Sequence, residues 1–333
     1  MILQHQPSFD IYDATKLQCY MDCPREYFYQ FILGWRSDNP NIHLEFGSAI
    51  HLAMEHLIIH GYGDKSMLEA YDKFLSYYRQ FFPDIMDDSF APKNPAMAFR
   101  ALMGYILEYR NDKFIPLYTE IAGKVTLTDK YDLHFKMDSV LDTPDGIKSR
   151  EHKTGSQLSR QWIDQWALKM QTGVYNHVLY CLFPSEKVWG VEINGLIFSK
   201  KEIKYTRVPS RRTLQSMEVW YHNTIWWLDE LTADMARLNE CNEEDTVLKC
   251  FKMNTENCTK YFGCPYHDFC VAWPNPLSRC SEVPMGMKIE HWNPAEDRKD
   301  AKFVFDLSDG NNNVTKIENK EKGEEDESSR TTR

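Results

Sequence analysis

Apolar residues recur at helical spacing through the first third of the chain and alternate with polar ones further on. That change of period predicts a helical frame around a small sheet. Residues 14–36 read as helix, broken or restarted at Pro24. Residues 44–60 (LEFGSAIHLAMEHLIIH) form a second helix, with Leu44, Ile50, Met54, Leu57 and Ile58 on its apolar stripe. Residues 65–82 and 96–112 continue the helical pattern on either side of the turn-rich DDSFAPKNP. Strand-like alternation then occupies 118–128 and 131–142, followed by the turn TPDG (143–146) and a third strand, IKSREHK. The helical period returns over 159–183. A fourth strand is expected over 188–199 with a bulge or bend near Gly195, and a long helix over 210–240. A cysteine-rich segment (250–280) precedes a polar, low-complexity end, for which disorder is expected over 310–333. The order predicts an α/β fold: a small mixed β-sheet flanked by helices, with a helical N-terminal part.

The hairpin at TPDG carries the first chemical signal. Leu133, Phe135, Met137 and Leu141 share one parity, while His134, Lys136, Asp138 and Asp142 share the other. If Pro144-Asp145 is the two-residue loop, Asp138 stands opposite Glu151, with Cβ atoms about 5 Å apart. If Asp145-Gly146 is the loop, Asp138 faces Lys153 and Glu151 is its diagonal neighbour. Both registers gather Asp138, Glu151 and Lys153 on one face. Facing carboxylates repel unless a cation or proton lies between them, and oxygen ligands suit Mg²⁺ or Mn²⁺. A surface ladder of weak ion pairs is the ordinary alternative for so short a pattern. Elsewhere, Gly47 and His51 lie one helical turn apart, and Gln171 and Tyr175 share a helix face.

Composition narrows the class. Hydrophobic content of 42% and charged content of 26% fit a soluble globular protein, and no apolar run spans a bilayer. The start of the chain lacks a secretory signal pattern, so an intracellular location without membrane partners is expected. The net charge is −10, yet its distribution is uneven. Residues 218–245 hold eight acids and one Arg, whereas 200–212 hold six basic residues and one Glu. The total therefore does not exclude DNA, and the acidic helix is expected to point away from it. Lys200, Lys201, Lys204, Arg207, Arg211 and Arg212 are a candidate phosphate track. Tyr27, Tyr29, Trp35 and Trp162 could stack on bases, although core packing is the commoner use of such residues. Nine cysteines point to metal or catalysis rather than disulfides. Cys258, Cys264 and Cys270 follow one another at six-residue steps. Three clustered thiols leave one ligand missing for a tetrahedral zinc site or a cubane cluster.

Together CPREYFY (23–29), GSAIH (47–51), MDSVLDTPDG…EHKTG (137–155) and QTGVY (171–175) resemble the RecB-like branch of the PD-(D/E)XK nucleases. Met137 stands where the superfamily's name would put Pro. The resemblance implies that His51, Asp138 and Glu151, with the backbone carbonyl of His152, hold Mg²⁺ or Mn²⁺. It implies that Lys153 positions the attacking water and stabilises charge on phosphate, that Gln171 and Tyr175 orient the lysine or the substrate, and that Glu120 adds an outer carboxylate. It further implies that Cys23 joins Cys258, Cys264 and Cys270 around a 4Fe–4S cluster. Zn²⁺ is the alternative, because the spacing departs from the usual one. Cys19 and Cys250 lie near enough to compete, and Cys181, Cys241 and Cys280 read as ordinary thiols.

The expected architecture is one nuclease domain over 1–309. It comprises a helical part (14–112), a catalytic core (118–200), and a C-terminal helix with the cysteine cluster (210–280). The expected activity is a deoxyribonuclease, a DNA exonuclease of replication, recombination or repair. The chain has no P-loop, so any helicase or recombination protein would be a separate partner. The resemblance is to bacteriophage nucleases, which would place the chain in a bacterial host's cytoplasm. These resembled nucleases are related to CRISPR-associated four-cysteine nucleases and to AddB-type nuclease domains, and a CRISPR-adaptation nuclease that processes DNA ends is one alternative. A non-catalytic DNA-binding scaffold is the other.

Overall fold

A computed structural model describes residues 4–260, 263–299, 301–307 and 313–316. Helix α1 (Ala14–Asp22) starts where buried Asp13 accepts the Lys16 N–H at 2.8 Å. The helix expected over 14–36 restarts at Pro24, as its sequence implies, but does not continue to residue 36. Pro24 restarts it as Pro24–Tyr27, a π-helical turn follows over Phe28–Ile32, and a short strand (Trp35–Ser37) ends the segment. Asn41 caps α2 (Ile42–His60), and Gly61, at φ 84°, ends it. Helices α3 (Asp64–Tyr78) and α4 (Pro95–Glu108) pack with α2 into one apolar cluster that includes Phe46, Met54, Phe74 and Tyr105. Leu44 does not belong to that stripe. It sits in the first turn and is 67% exposed, while Phe46 takes the inward place.

The sheet is built from β1 (Ile115–Thr128), β2 (Tyr131–Thr143), β3 (Gly146–Gly155), β4 (Val188–Phe198), β5 (Ile203–Ser210), β6 (Phe303–Leu307) and β7 (Asn313–Lys316). Their order is β7-β6-β1-β2-β3-β4-β5, and Tyr12–Asp13 adds a parallel pairing to β2. β1, β2 and β3 form an antiparallel meander, β4 runs parallel to β3, and β5 runs antiparallel to β4. The sheet is therefore mixed, as the sequence pattern predicts. Thr143 pairs with Gly146 and Asp142 with Ile147, which selects Pro144-Asp145 as the loop. Helices α5 (Met170–Leu182) and α6 (Leu214–Leu238) complete a second, larger core with α1 and the aromatic segment after Pro24. Strand alternation connects both cores. Val191 and Ile193 of β4 enter the larger one, and Leu196 and Phe198 enter the other.

Three expectations change here. The helix expected over 159–183 is split into Arg160–Asp164 and α5. Hydroxyls of Thr172 and Ser210 donate to the Trp166 carbonyl at 2.8 and 2.9 Å, where the chain turns between the two helices. β4 continues through Gly195 without a bulge. Glycine is needed there because a Cβ would lie 2.4 Å from the Trp162 ring. β5, β6 and β7 have no counterpart in the expected elements. β7 falls within the stretch expected to be disordered, and residues 310–312 and 317–333 of that stretch lie outside the described residues.

Candidate active site

β2 and β3 are bonded as a ladder from the turn to Ser139–Arg150. Beyond that pair, side chains take over the strand contacts. The Asp138 N–H donates to Glu151 Oε1 at 3.1 Å, and the His152 N–H donates to Asp138 Oδ2 at 2.7 Å. Each carboxylate is thus fixed on the opposite strand's backbone. His51 reaches across from α2, with Nδ1 3.2 Å from Asp138 Oδ1. Ser149 steadies the second acid by donating to Glu151 Oε1 at 3.2 Å. Lys153, half-buried, follows two residues along the same face of β3.

His51, Asp138, Glu151 and Lys153 line one cleft of about 560 Å³ with Ser48, Glu55, Glu120, Lys136, Gln171, Tyr175 and Lys302. Lys153 and Gln171 also border a second cleft that runs along α1 past Thr15 and Gln18. Burial pushes the Glu151 carboxyl well up, and the charge of Asp138 adds to the effect. Burial also opposes ionisation of Asp138, but His51, His152 and Lys153 outweigh it and hold that carboxyl below its usual range. Glu120 is raised to about 7, first by burial and then by Asp138, with Lys136 at 3.2 Å opposing the shift. Glu120 also has φ 46°, a left-handed conformation that costs a non-glycine residue about 1–3 kcal/mol. Such outliers gather at functional sites, and this one lies beside the paired acids.

Tyr175 is buried, and its hydroxyl donates to the Lys136 carbonyl while accepting from Gln171 Nε2 at 2.9 Å. It therefore positions β2 next to Asp138; both residues line the cleft with Lys153, and Gln171 alone also borders the second one. His152 turns to the opposite face. Asn194 Nδ2 donates to its Nδ1 at 2.9 Å, and burial lowers the ring to about 3, so it stays neutral. Beneath it, Glu192 receives Arg150 Nε at 2.7 Å and Lys148 Nζ at 3.2 Å, while Arg207 meets Asp112 at 2.5 Å. This network locks β3 to β4 just before Glu151 and Lys153.

Among the described residues no group of three or more His, Cys, Asp or Glu side chains is arranged to hold a metal ion. In the cleft, the reason is local: His51 bonds Asp138 directly, and the two carboxylates are turned onto N–H groups. The cysteines are gathered without being closed into a ligand set. Cys264 is raised to about 11, first by burial and further by Glu26, Cys270 and Cys23. Cys270 is raised by burial and by the nearby Cys23 and Cys258, against Arg25. The Asn254 N–H donates to Cys23 Sγ at 3.4 Å, tying this segment to the start of the chain. Cys241 and Cys250 instead face each other at 3.9 Å.

The basic track is shorter than the sequence pattern implies. Arg207 is spent on Asp112 and on the Tyr109 ring, 3.7 Å away. Arg212 is buried and donates to the Lys169 carbonyl at 2.9 Å. Both are corrected to structural residues, leaving Lys200, Lys201, Lys204 and Arg211 exposed. Tyr27, Tyr29 and Trp35 are likewise core residues, and Trp162 packs over Gly155 and Gly195. In the acidic segment, Asp234 is internal, accepting from Tyr20 Oη at 2.8 Å. Glu55 and Lys302 are cleft residues that the sequence reading missed. Glu55 lies four residues after His51 and was accessible from helical spacing, whereas Lys302 had no local signal.

No curated protein matches the chain. Among solved structures, a Eubacterium rectale protein described as a candidate exonuclease superposes with TM-score 0.40 at 11% identity, covering 69% of this chain and 88% of its own. The protein SSO0001 gives TM-score 0.25 at 11% identity, covering 64% and 84%. The sequence profile of the PD-(D/E)XK nuclease superfamily matches residues 14–271. That span contains the helix bearing His51, the splayed hairpin with its two acids, Lys153 and the Gln171–Tyr175 pair, and the chain belongs to the PD-(D/E)XK nuclease superfamily.

Proposed function

We propose that this nuclease is a divalent-cation-dependent deoxyribonuclease, an exonuclease that hydrolyses DNA phosphodiesters in replication, recombination or repair. One observation carries the reading: Asp138, Glu151, His51 and Lys153 meet in a single cleft from a helix and two strands. The donor set fits a hard cation. A buried carboxyl whose proton affinity is raised by burial and by a neighbouring carboxylate, beside an imidazole, is an arrangement a divalent ion relieves. His51, Asp138, Glu151 and the His152 carbonyl would hold Mg²⁺ or Mn²⁺, which when bound supplies Lewis acidity and lowers the pKa of a ligated water. Lys153 supplies a fixed ammonium for the phosphate oxygens, Gln171 borders its approach, and Tyr175 keeps the Asp138 strand in place. The exposed Lys200, Lys201, Lys204 and Arg211 serve as a phosphate track. The test is digestion of 5′- and 3′-labelled DNA with and without Mg²⁺ or Mn²⁺. Loss of nucleotides from one end, abolished by EDTA, supports the reading; a protein inert on single- and double-stranded DNA overturns it.

For the cysteines, the proposal is a 4Fe–4S cluster held by Cys23, Cys258, Cys264 and Cys270. Four neighbouring thiols, two of them, Cys264 and Cys270, raised first by burial, form a soft donor set. Such a cluster would tie the start of the chain to its C-terminal segment. The expected result is a brown protein with broad visible absorbance that Cys23→Ser removes. A colourless wild type carrying one zinc would transfer the site to Zn²⁺.

A further inference from the structure

We propose that Lys302 forms a phosphate subsite in this cleft, with Glu55 holding its ammonium in place. The inference rests on the nuclease reading above and concerns a residue beyond the family-matched span, which ends at 271.

Lys302 reaches the site through the sheet. β6 runs parallel to β1, pairing Phe303 with Ile121, and the Lys302 N–H donates to the Glu120 carbonyl at 3.0 Å. The bond falls at the left-handed residue of β1, so the kink and the C-terminal strand fix each other. From there the side chain lines the same cleft as His51, Asp138, Glu151 and Lys153. Its Nζ lies 2.5 Å from Glu55 Oε1, one helical turn beyond His51. The pair is asymmetric. Glu55 is 14% exposed and Lys302 40%, so the carboxylate lies behind the cation rather than in front of it.

An ammonium carries three donors, and Glu55 engages one side of it. The remaining donors face a cleft whose other walls carry Glu120, Asp138 and Glu151. A DNA backbone entering so acidic a space needs cations besides Lys153, and Lys302 supplies one. A purely structural ion pair of this exposure would contribute little to stability and nothing to DNA affinity.

The experiment measures binding of a fluorescent single-stranded oligonucleotide to the full chain in EDTA across a salt series, for wild type, Lys302→Ala and Lys302→Arg. Turnover is not required, so the result is independent of whether the protein digests DNA. Lys302→Ala should bind about tenfold more weakly at low salt, the order expected of one lost charge-assisted hydrogen bond. Its plot of log affinity against log salt should be shallower by about 0.7, the single-strand value for one phosphate contact. Lys302→Arg should retain the wild-type slope. An unchanged slope and affinity in a folded Lys302→Ala, checked by thermal unfolding, would overturn the subsite. Failure of the wild type to cut DNA would overturn only the nuclease reading.

Discussion

Lys153→Ala is expected to slow DNA hydrolysis about a thousandfold, the loss associated with removing one preorganised charge at a reacting centre. The backbone of β3 is held against β4 from Ile147 to Gly155, so the strand does not depend on the lysine side chain. Asp138 and Glu151 also keep their N–H donors when Lys153 is shortened, because those bonds come from the backbone of residues 138 and 152. The variant should therefore unfold at nearly the wild-type temperature and fail at the chemical step. Rates under saturating Mg²⁺ with excess enzyme isolate that step. Equal rates for both proteins would remove Lys153 from the reaction, and a wild type that binds DNA without cutting it would favour the scaffold reading.

The second large effect is structural. Glu192→Ala is expected to destabilise the fold by about 3–5 kcal/mol, the range for breaking a buried ionic network by removing one partner. Lys148 and Arg150 bond its two oxygens, Arg207 lies 3.8 Å away, and side-chain exposures of 7%, 3% and 18% leave these cations little water to turn to. Glu192→Gln keeps the hydrogen-bonding shape and should cost less. Burial alone would raise the Glu192 carboxyl, but Arg150, Arg207 and Lys148 outweigh it and depress the folded pKa. Its stabilisation is therefore complete above the ordinary glutamate range and is lost as pH falls through the depressed value. The alanine variant should lack this acid-sensitive component. Urea unfolding at neutral and acidic pH measures both effects; a loss below about 1 kcal/mol would mean that the cluster is solvated like a surface salt bridge.

The local part of the site was legible because strand parity and turn chemistry are local rules. Asp138, Glu151 and Lys153 share a face in either register, and Pro144-Asp145 sets which residues stand opposite. His51 was legible through its motif rather than its spacing alone. The aromatic segment after Pro24 misled because stacking residues and core residues have the same composition; Tyr27, Tyr29 and Trp35 are buried. Arg207 and Arg212 misled for a related reason: a run of basic residues does not reveal that Asp112 and the Lys169 carbonyl lie opposite. β6 was invisible because its pairing with β1 joins residues about 180 positions apart. Lys302, carried on that pairing, could be found only once the sheet was closed.

Calorimetric titration of Mn²⁺ into wild type and Glu151→Gln tests the central claim most directly, that α2 and the splayed hairpin together hold a divalent cation. Glu151→Gln preserves the side chain's volume and its acceptor for the Asp138 N–H but removes the ligand charge. Saturable binding to wild type that disappears in the variant is the predicted result. Binding of equal strength in both proteins, or none in either, would contradict the account.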